Sequence, residues 1–241
     1  MTTPDASDDA RHARLAESWE ANADAWTSAV REGAIASRRA GTDAAIVAAC
    51  AAAVPTLAGA AVLDVGCGEG WLARALAAKG ARVLGVDASA PLIERARAAQ
   101  PPADAPAPAY AVASYEAMAA DLALARGPFD VIAVNFALLG DPVAPALAAC
   151  AARLAPGGRV VVQTVHPWVA AGDGPYEPGW REETFAAFAV PFPSTMPWYF
   201  RTMAGWLDAL RDAGLRLERV HEPLHPETRR PLSLVLAAGR D

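Results

Sequence analysis

Apolar residues in the middle of the chain fall into short continuous runs separated by segments of helical spacing. The runs predict buried strands at Ala61–Val65, Arg82–Asp87, Phe129–Val134 and Arg159–Val165, with a weaker strand at Tyr110–Ala113. Strands that alternate with helices are typical of a parallel sheet covered on both faces. Because crossovers between parallel strands are right-handed, the pattern predicts a doubly wound sheet.

The helical patterns and the end of the chain complete this architecture. Predicted helices cover about Ala10–Glu32, Thr42–Ala53, Trp71–Lys79, Pro91–Ala99, the residues before Ala125, Val143–Leu154 and Thr202–Asp212, after a frayed tail at Asp5–Asp9. No crossover helix separates the last two predicted strands, Leu215–His221 and Leu232–Ala237, which therefore form an antiparallel edge hairpin. We expect an α/β fold with a doubly wound, mostly parallel seven-stranded sheet and an antiparallel last strand.

Composition and charge restrict the class of protein. The chain has 241 residues, enough for one domain, and its net charge of −6 makes it a poor non-specific partner for nucleic acid or anionic membrane. The uncharged stretch Ala44–Leu63 is alanine-rich and interrupted by Pro55, so it does not predict a membrane span. The first eleven residues lack the apolar run of a signal peptide.

Three widely spaced cysteines, Cys50, Cys67 and Cys150, predict neither a disulfide framework nor a zinc site. This cysteine usage favours a reduced compartment, and we expect a cytoplasmic protein that uses no metal.

A glycine-rich loop follows the first strand. The sequence Gly66-Cys-Gly-Glu-Gly70 precedes a predicted helix, and glycines allow the backbone to turn sharply and approach a ligand. Ligands bind at the carboxyl ends of strands in such sheets. Asp87 ends the second strand, 23 residues after Asp64, where an acid commonly binds ribose hydroxyls.

Two cofactors compete for this loop. A dinucleotide loop needs a small residue where this chain has Trp71, whose indole would push the helix away from the strand. Asp64 before the glycines suits a cation, such as the ammonium of S-adenosylmethionine. The alternatives are a nicotinamide-dependent oxidoreductase and a non-catalytic module that binds S-adenosylmethionine.

Over about Ala60–Val165 the chain resembles class I S-adenosylmethionine-dependent methyltransferases. The resemblance rests on the run Asp-x-Gly-x-Gly-x-Gly from Asp64, on Asp87, and on the segments Asn135-Phe-Ala-Leu138 and Pro156-Gly157-Gly158. The resemblance implies S-adenosylmethionine as cofactor and S-adenosylhomocysteine as product. The cofactor-binding positions it implies are Asp64, Gly66, Cys67, Gly68, Gly70, Asp87, Ala88, Ser114, Tyr115, Asn135, Phe136 and Ala137.

The resemblance also implies a role for each part of that set. The first-strand acid and the loop hold the amino acid moiety, Asp87 binds both ribose hydroxyls and Ala88 lies beside the adenine. Ser114 stands where the family often has an aspartate near the adenine amino group. The segment from Asn135 runs along the cofactor near its methyl group, without the Asn/Asp-Pro-Pro-Tyr motif of enzymes that methylate nucleobases and glutamine.

The segment His166–Arg201 is rich in proline, glycine and aromatic residues, and long irregular stretches are usually binding loops or lids. We expect a single domain over 1–241, with an N-terminal helical cap at 10–55, a cofactor-binding core at 60–165, a substrate cap insertion at 166–201, and the last helix and edge strands at 202–241. The predicted substrate-binding residues of the whole domain are Trp19, Trp26, Trp168, Tyr176, Trp180, Arg181, Trp198, Arg201 and His225. The alternative is that the aromatic residues form the core of the cap itself.

The expected reaction is methyl transfer to an O, N or S atom of a small, aromatic or partly apolar molecule. A base is needed only if the acceptor is protonated, and the candidates are His166, His225 and Tyr199. His166 has an alternative role in capping the turn that follows the fifth strand. Arg181 and Arg201 would bind a carboxylate or phosphate of the substrate, or else form ion pairs with nearby glutamates. We expect His12 to lie at the surface and the protein to be a monomer or homodimer.

Overall fold

The computed structural model describes residues 6–101, 103–188 and 190–240. The strands are β1 (Ala61–Val65), β2 (Arg82–Asp87), β3 (Ala109–Val112), β4 (Phe129–Asn135), β5 (Leu154–Val165), β6 (Gly179–Glu183), β7 (Met196–Phe200), β8 (Arg216–His221) and β9 (Ser233–Gly239). The helices are α1 (Ala6–Ala21), α2 (Ala23–Arg31), α3 (Asp43–Ala52), α4 (Trp71–Ala77), α5 (Ala90–Ala98), α6 (Tyr115–Ala120), α7 (Ala144–Ala151), α8 (Pro167–Ala171) and α9 (Met203–Asp212). A short π-helical turn, Arg38–Thr42, precedes α3.

The main sheet has seven strands in the order β3-β2-β1-β4-β5-β9-β8. Strands β1 to β5 are parallel, whereas β9 runs antiparallel between β5 and β8. This confirms the predicted doubly wound sheet with its antiparallel last strand. The order reverses between β1 and β4, which is the switch point where such sheets bind ligands.

Alternating strand residues form two apolar layers. Leu63 and Ile132 face one layer with Leu147 of α7, and Val62 and Val131 face the other, which includes residues of α3 and α4. All five side chains are buried. Both faces of the sheet are therefore covered, as continuous apolar strands require.

The N-terminal part differs from the prediction. The predicted helix at 10–32 is two helices, because the chain bends at Asn22. The side-chain amide of Asn22 donates to Ser18 Oγ (3.0 Å) and to the carbonyl of Ser194 (2.8 Å). Helix α1 begins at Ala6, so residues 6–9 are helical where a frayed tail is predicted. Asp5, the first residue of that predicted tail, lies outside the described residues, as do residues 1–4.

The segment 166–201 is more regular than its sequence indicates. It contains α8 and an antiparallel hairpin of β6 and β7. Helix α1 packs on this hairpin through Trp180 Nε1, which donates to Asp8 Oδ1 (2.9 Å), and an ion pair of Arg14 with Glu182 (2.8 Å). The hairpin was missed because its strands are five residues long and Pro197 interrupts the second.

None of the described helices is long and apolar enough to cross a membrane. The alanine-rich stretch 44–63 divides instead into most of α3, a connecting turn and the start of β1.

Candidate active site

The glycine loop leaves β1 at the switch point in a conformation that favours glycine. Gly66, Gly68 and Gly70 have φ angles of +70°, +55° and +82°. A Cβ atom on Gly66 would overlap the Cβ of Ala137, so the loop touches the segment after β4. Only glycine satisfies both the left-handed backbone and this close approach.

Asp87 holds the glycine loop in place. Its Oδ2 atom accepts a hydrogen bond from the backbone N–H of Gly68 (2.8 Å), and Oδ1 accepts one from Ser89 (2.9 Å). Burial raises the pKa of Asp87, although both N–H groups favour the charged form. The carboxylate therefore organises the loop, and its predicted binding to ribose, with Ala88 beside the adenine, stays a prediction.

Asp64 lies beneath the same loop and is 1% exposed. Its Oδ2 atom is buried without a hydrogen-bond partner. Burial, followed by the charge of Asp87, raises the pKa of Asp64 to about 7, against a hydrogen bond from the backbone of Ala73. An unpaired buried carboxylate is costly, and a ligand cation would relieve that cost. The residue thus fits the ammonium of S-adenosylmethionine.

The side chains expected near adenine have partners in the protein. Ser114 caps α6, where its hydroxyl oxygen accepts from Ala117 N (3.1 Å). The Tyr115 hydroxyl donates to the carbonyl of Ala137 (2.8 Å) and lies 3.0 Å from a Cβ placed on Gly66. The hydroxyl of Tyr115 therefore joins α6 to the segment after β4, beside the glycine loop, a role that the sequence pattern did not predict.

The end of β4 has two unusual features. Asn135 has a buried Oδ1 atom without a partner. Phe136 has a φ angle of +52°, which is uncommon for a bulky residue, and its N–H donates to the carbonyl of Gln163 (2.8 Å). Strained backbone of this kind often occurs at functional sites.

A buried carboxylate connects the glycine loop to the N-terminal helices. Glu69 has a fully buried side chain that accepts from Arg74 at both oxygens (2.9 and 2.8 Å) and from Nε of Arg31 in α2 (2.9 Å). Next to this contact, Trp26 Nε1 lies 3.9 Å from a Cβ placed on Gly68. The sequence pattern predicted the glycines and Cys67 of this loop but no role for Glu69, because the partners of Glu69 lie on other parts of the chain.

Trp26 belongs to an aromatic cluster. Trp19 meets it edge-on with ring centroids 5.3 Å apart, and Phe188 and Phe192 pack against its other side. Phe185 stacks on Phe192 at 4.1 Å. The cluster joins α1 and α2 to the segment 166–201 beside the glycine loop.

Both arginines predicted to bind substrate have partners within the protein. Arg181 donates to the carbonyls of Ala170 (2.7 Å) and Pro175 (3.0 Å) and lies over the ring of Phe200. Arg201 is 5% exposed, and burial lowers its pKa.

The partners of Arg201 lie in the segment after β4. It donates to the carbonyls of Leu138 and Gly140 and to Asp141 Oδ1 (2.8 Å). The structure thus gives Arg181 and Arg201 structural contacts, which differ from the expected glutamate pairs.

His166, a predicted base, has both ring nitrogens in contact. Nε2 lies 2.6 Å from Glu222 Oε1, and Nδ1 accepts from the N–H of Trp168 (3.3 Å) at the start of α8. Because Nδ1 accepts, Nε2 carries the proton that is donated to the carboxylate. The geometry favours the capping role, and the catalytic role stays a prediction.

Tyr199, another predicted base, lies on β7 two residues before Arg201. Its ring meets Trp180 edge-on at 5.6 Å. Burial and the charge of Asp141 raise the pKa of Tyr199, which keeps its hydroxyl protonated at neutral pH. The geometry therefore gives Tyr199 no activated oxygen.

The remaining predicted substrate residues are dispersed. His225 caps its own turn between β8 and β9, where Nδ1 accepts from Glu227 (3.2 Å) and Thr228 (3.3 Å). Trp168 is 67% exposed. The other three aromatic side chains pack within segment 166–201. Tyr176 and Trp198 each contact the ring of Phe200, and Trp180 contacts that of Tyr199.

His12 is partly buried, contrary to expectation. Its Nδ1 atom contacts the carbonyl of Asp8 (2.9 Å), and Nε2 accepts from the N–H of Asp141 (3.3 Å). It thereby fastens α1 to the segment after β4, a long-range contact that sequence spacing does not show.

Comparison with known proteins agrees with this geometry. Residues 62–158 match the family model described as a methyltransferase domain. A ubiquinone biosynthesis O-methyltransferase of Xylella fastidiosa is 41% identical over 117 residues, which cover 48% of this chain and 46% of that relative. The chain thus matches about half the length of this curated relative.

Solved structures extend the similarity beyond the matched domain. An S-adenosylmethionine-dependent methyltransferase from Mesorhizobium loti has a TM-score of 0.60 and 29% identity, over 80% of this chain and 96% of that one. Magnesium protoporphyrin IX methyltransferase from Synechocystis PCC 6803, crystallised with bound S-adenosylmethionine, has a TM-score of 0.66 and 21% identity, over 99% and 100% of the chains. The comparisons favour S-adenosylmethionine over a nicotinamide cofactor. Residues 62–158 therefore match a methyltransferase domain, and the fold of the chain is that of class I S-adenosylmethionine-dependent methyltransferases.

Proposed function

We propose that this protein transfers the methyl group of S-adenosylmethionine to an O, N or S atom of a small, aromatic or partly apolar molecule. The observation that carries the proposal is the unpaired Oδ2 atom of Asp64, buried beneath a glycine loop at the switch point. The cofactor, when bound, supplies an electrophilic methyl group on a sulfonium that is a good leaving group.

The residues of the chain contribute binding and orientation. Asp64 faces the cofactor's ammonium, and the glycine loop, held by Asp87, lies along its amino acid moiety. Asp87, Ser114 and Tyr115 border the ribose and adenine. Since the leaving group already drives the reaction, alignment of the acceptor with the methyl group supplies much of the acceleration.

The N-terminal helices and segment 166–201 form the cap of the proposed site. The cluster around Trp26 lies beside the glycine loop, and His12 and Arg201 tie both parts to the residues after β4. An aromatic cover excludes water and suits a flat acceptor. The proposed acceptor is therefore a small molecule and not a nucleic acid, and the proposed setting is the cytoplasm, with a monomer or homodimer.

The test is calorimetric titration with S-adenosylmethionine, S-adenosylhomocysteine and NADH. We expect the two sulfur compounds to bind at micromolar concentration, about −8 kcal/mol, and NADH not to bind. Asp87→Ala should weaken this binding at least tenfold. Asp130→Ala is the matched control, because Asp130 Oδ2 also accepts a backbone N–H, that of Ala61 (2.8 Å), at the start of β1.

Two outcomes would contradict the proposal. Binding of NADH alone would show that the loop accommodates a dinucleotide despite Trp71. Absence of binding by either sulfur compound would show that the loop is only structural.

A further inference from the structure

Four buried side-chain oxygens have no hydrogen-bond partner among the described residues. They are Thr42 Oγ1, Asp64 Oδ2, Asn135 Oδ1 and Gln163 Oε1. Burying an unpaired polar atom costs about 1–3 kcal/mol, so each of these oxygens is a candidate contact for a ligand group or an ordered water.

Strand register places three of these oxygens, those of Asp64, Asn135 and Gln163, on one face of the sheet. Asn135 of β4 pairs with Gln163 of β5, so the two side chains are neighbours on the same face. Asp64 of β1 pairs with Ala133, two residues before Asn135, and therefore lies on that face as well. The oxygens form a row that begins under the glycine loop and crosses the carboxyl ends of three strands.

Thr42 lies next to Gln163, at the turn that leads into α3. Gln163 Nε2 donates to the carbonyl of Thr42 (3.1 Å) and contacts Ser233 Oγ (2.9 Å). Because a carbonyl only accepts, this contact fixes the orientation of the Gln163 amide and leaves Oε1 as the unpaired atom. Thr42 and Gln163 are each 1% exposed, so bulk water does not satisfy them.

The chemistry of the row restricts its partner. Asp64 is the residue that faces the cofactor's ammonium in the proposed function, which leaves Thr42, Asn135 and Gln163. The two amide oxygens only accept hydrogen bonds. A ligand hydroxyl has one proton and satisfies one of them, whereas an NH2 group has two diverging protons.

We propose that Thr42, Asn135 and Gln163 form a subsite for an NH2 group of the methyl acceptor. This inference rests on the proposed function and narrows its substrate class to molecules that carry a primary amide, amidine or aromatic amine. The subsite adjoins the end of β4, where the family resemblance places the reacting methyl group. The three residues therefore set which acceptor is held there.

The test uses protein saturated with S-adenosylhomocysteine and two probes, benzamide and N,N-dimethylbenzamide. The second probe has the same ring and carbonyl but no N–H. We expect calorimetry to detect benzamide and to show at least tenfold weaker binding of the dimethyl probe. Thr42→Val, which has the same shape without the hydroxyl, should weaken benzamide about fivefold, the effect of one hydrogen bond.

The control is Thr27→Val. Thr27 is also buried, but its Oγ1 donates to the carbonyl of Ala23 (2.7 Å) within α2. This control should lose stability and keep benzamide affinity, whereas Thr42→Val should lose affinity without losing stability. Thr42→Ser, which keeps the hydroxyl, should bind as the wild type does.

Equal binding of the two probes, or benzamide affinity unchanged in Thr42→Val, would overturn the subsite and show that ordered water fills the row. The same conclusion follows if neither probe binds while S-adenosylhomocysteine does, and the proposed function then stands. Absence of S-adenosylhomocysteine binding would overturn both.

Discussion

Replacement of Asp64 by asparagine tests the electrostatics of the site. The substitution keeps the shape of the side chain and removes its charge. Burial raises the pKa of Asp64 from 3.8 to about 7, a change of about three units. At 1.36 kcal/mol per unit, the charged form costs the folded protein about 4 kcal/mol when no ligand is bound.

The sign follows from proton binding. Between pH 4 and pH 7 the folded protein holds a proton on Asp64 that the unfolded chain has released, so the stability due to this group falls as pH rises through that window. It is fully present below about pH 4 and lost above about pH 7. Asp64→Asn removes this dependence. From pH 4 to pH 8, the wild type should therefore lose several kcal/mol of stability that the variant keeps.

Urea unfolding at pH 4, 6 and 8 measures this difference, with and without S-adenosylhomocysteine. The ligand should narrow the difference at pH 8, because its ammonium stabilises only the charged carboxylate. The variant should bind it at least tenfold more weakly, and a tenfold weaker affinity narrows the difference by about 1.4 kcal/mol. Asp130→Asn is the control for removal of a carboxylate elsewhere on the same sheet. Parallel pH profiles of wild type and variant, or equal ligand affinity, would refute the reasoning.

Three further predictions concern the loop, its buried carboxylate and metals. Gly66→Ala should cost more stability than Gly59→Ala by about 1–3 kcal/mol in urea unfolding, because both have positive φ but only Gly66 has a close neighbour; equal losses would contradict this. Arg74→Met should destabilise by about 1–3 kcal/mol, because the buried carboxylate of Glu69 then keeps only its contact with Arg31, and adding Glu69→Gln should recover part of that loss. EDTA should leave S-adenosylhomocysteine affinity and any methyl transfer unchanged, and a loss of either would show that a metal takes part.

Local patterns were sufficient to predict the sheet. Strands β1 and β2 begin and end at the predicted residues because apolar residues form most of each strand and turn residues flank it. The glycine loop and Asp87 are also local signals, since the backbone conformation there depends on residues adjacent in the chain. The resemblance to the methyltransferase family rests on these parts.

The contacts of the remaining polar residues depend on elements far apart in the chain. His166, Arg181 and Arg201 have the residue types of a substrate site, but their partners lie in segments that sequence spacing cannot bring together. Gln163 gave a usable signal, because it is a polar residue inside an otherwise apolar strand. Thr42 gave none, since its position is fixed by the turn that precedes α3.

The contacts of α1 have a consequence for how the chain assembles during synthesis. Asp8 and Arg14 have partners 172 and 168 residues further along, in the hairpin of β6 and β7. A ribosome therefore completes α1 long before its docking surface exists, and closing so long a loop is entropically costly. Helix α1 is made first but gains its hairpin contacts late, so β1 to β5 and the glycine loop have the opportunity to form before α1 docks on the hairpin.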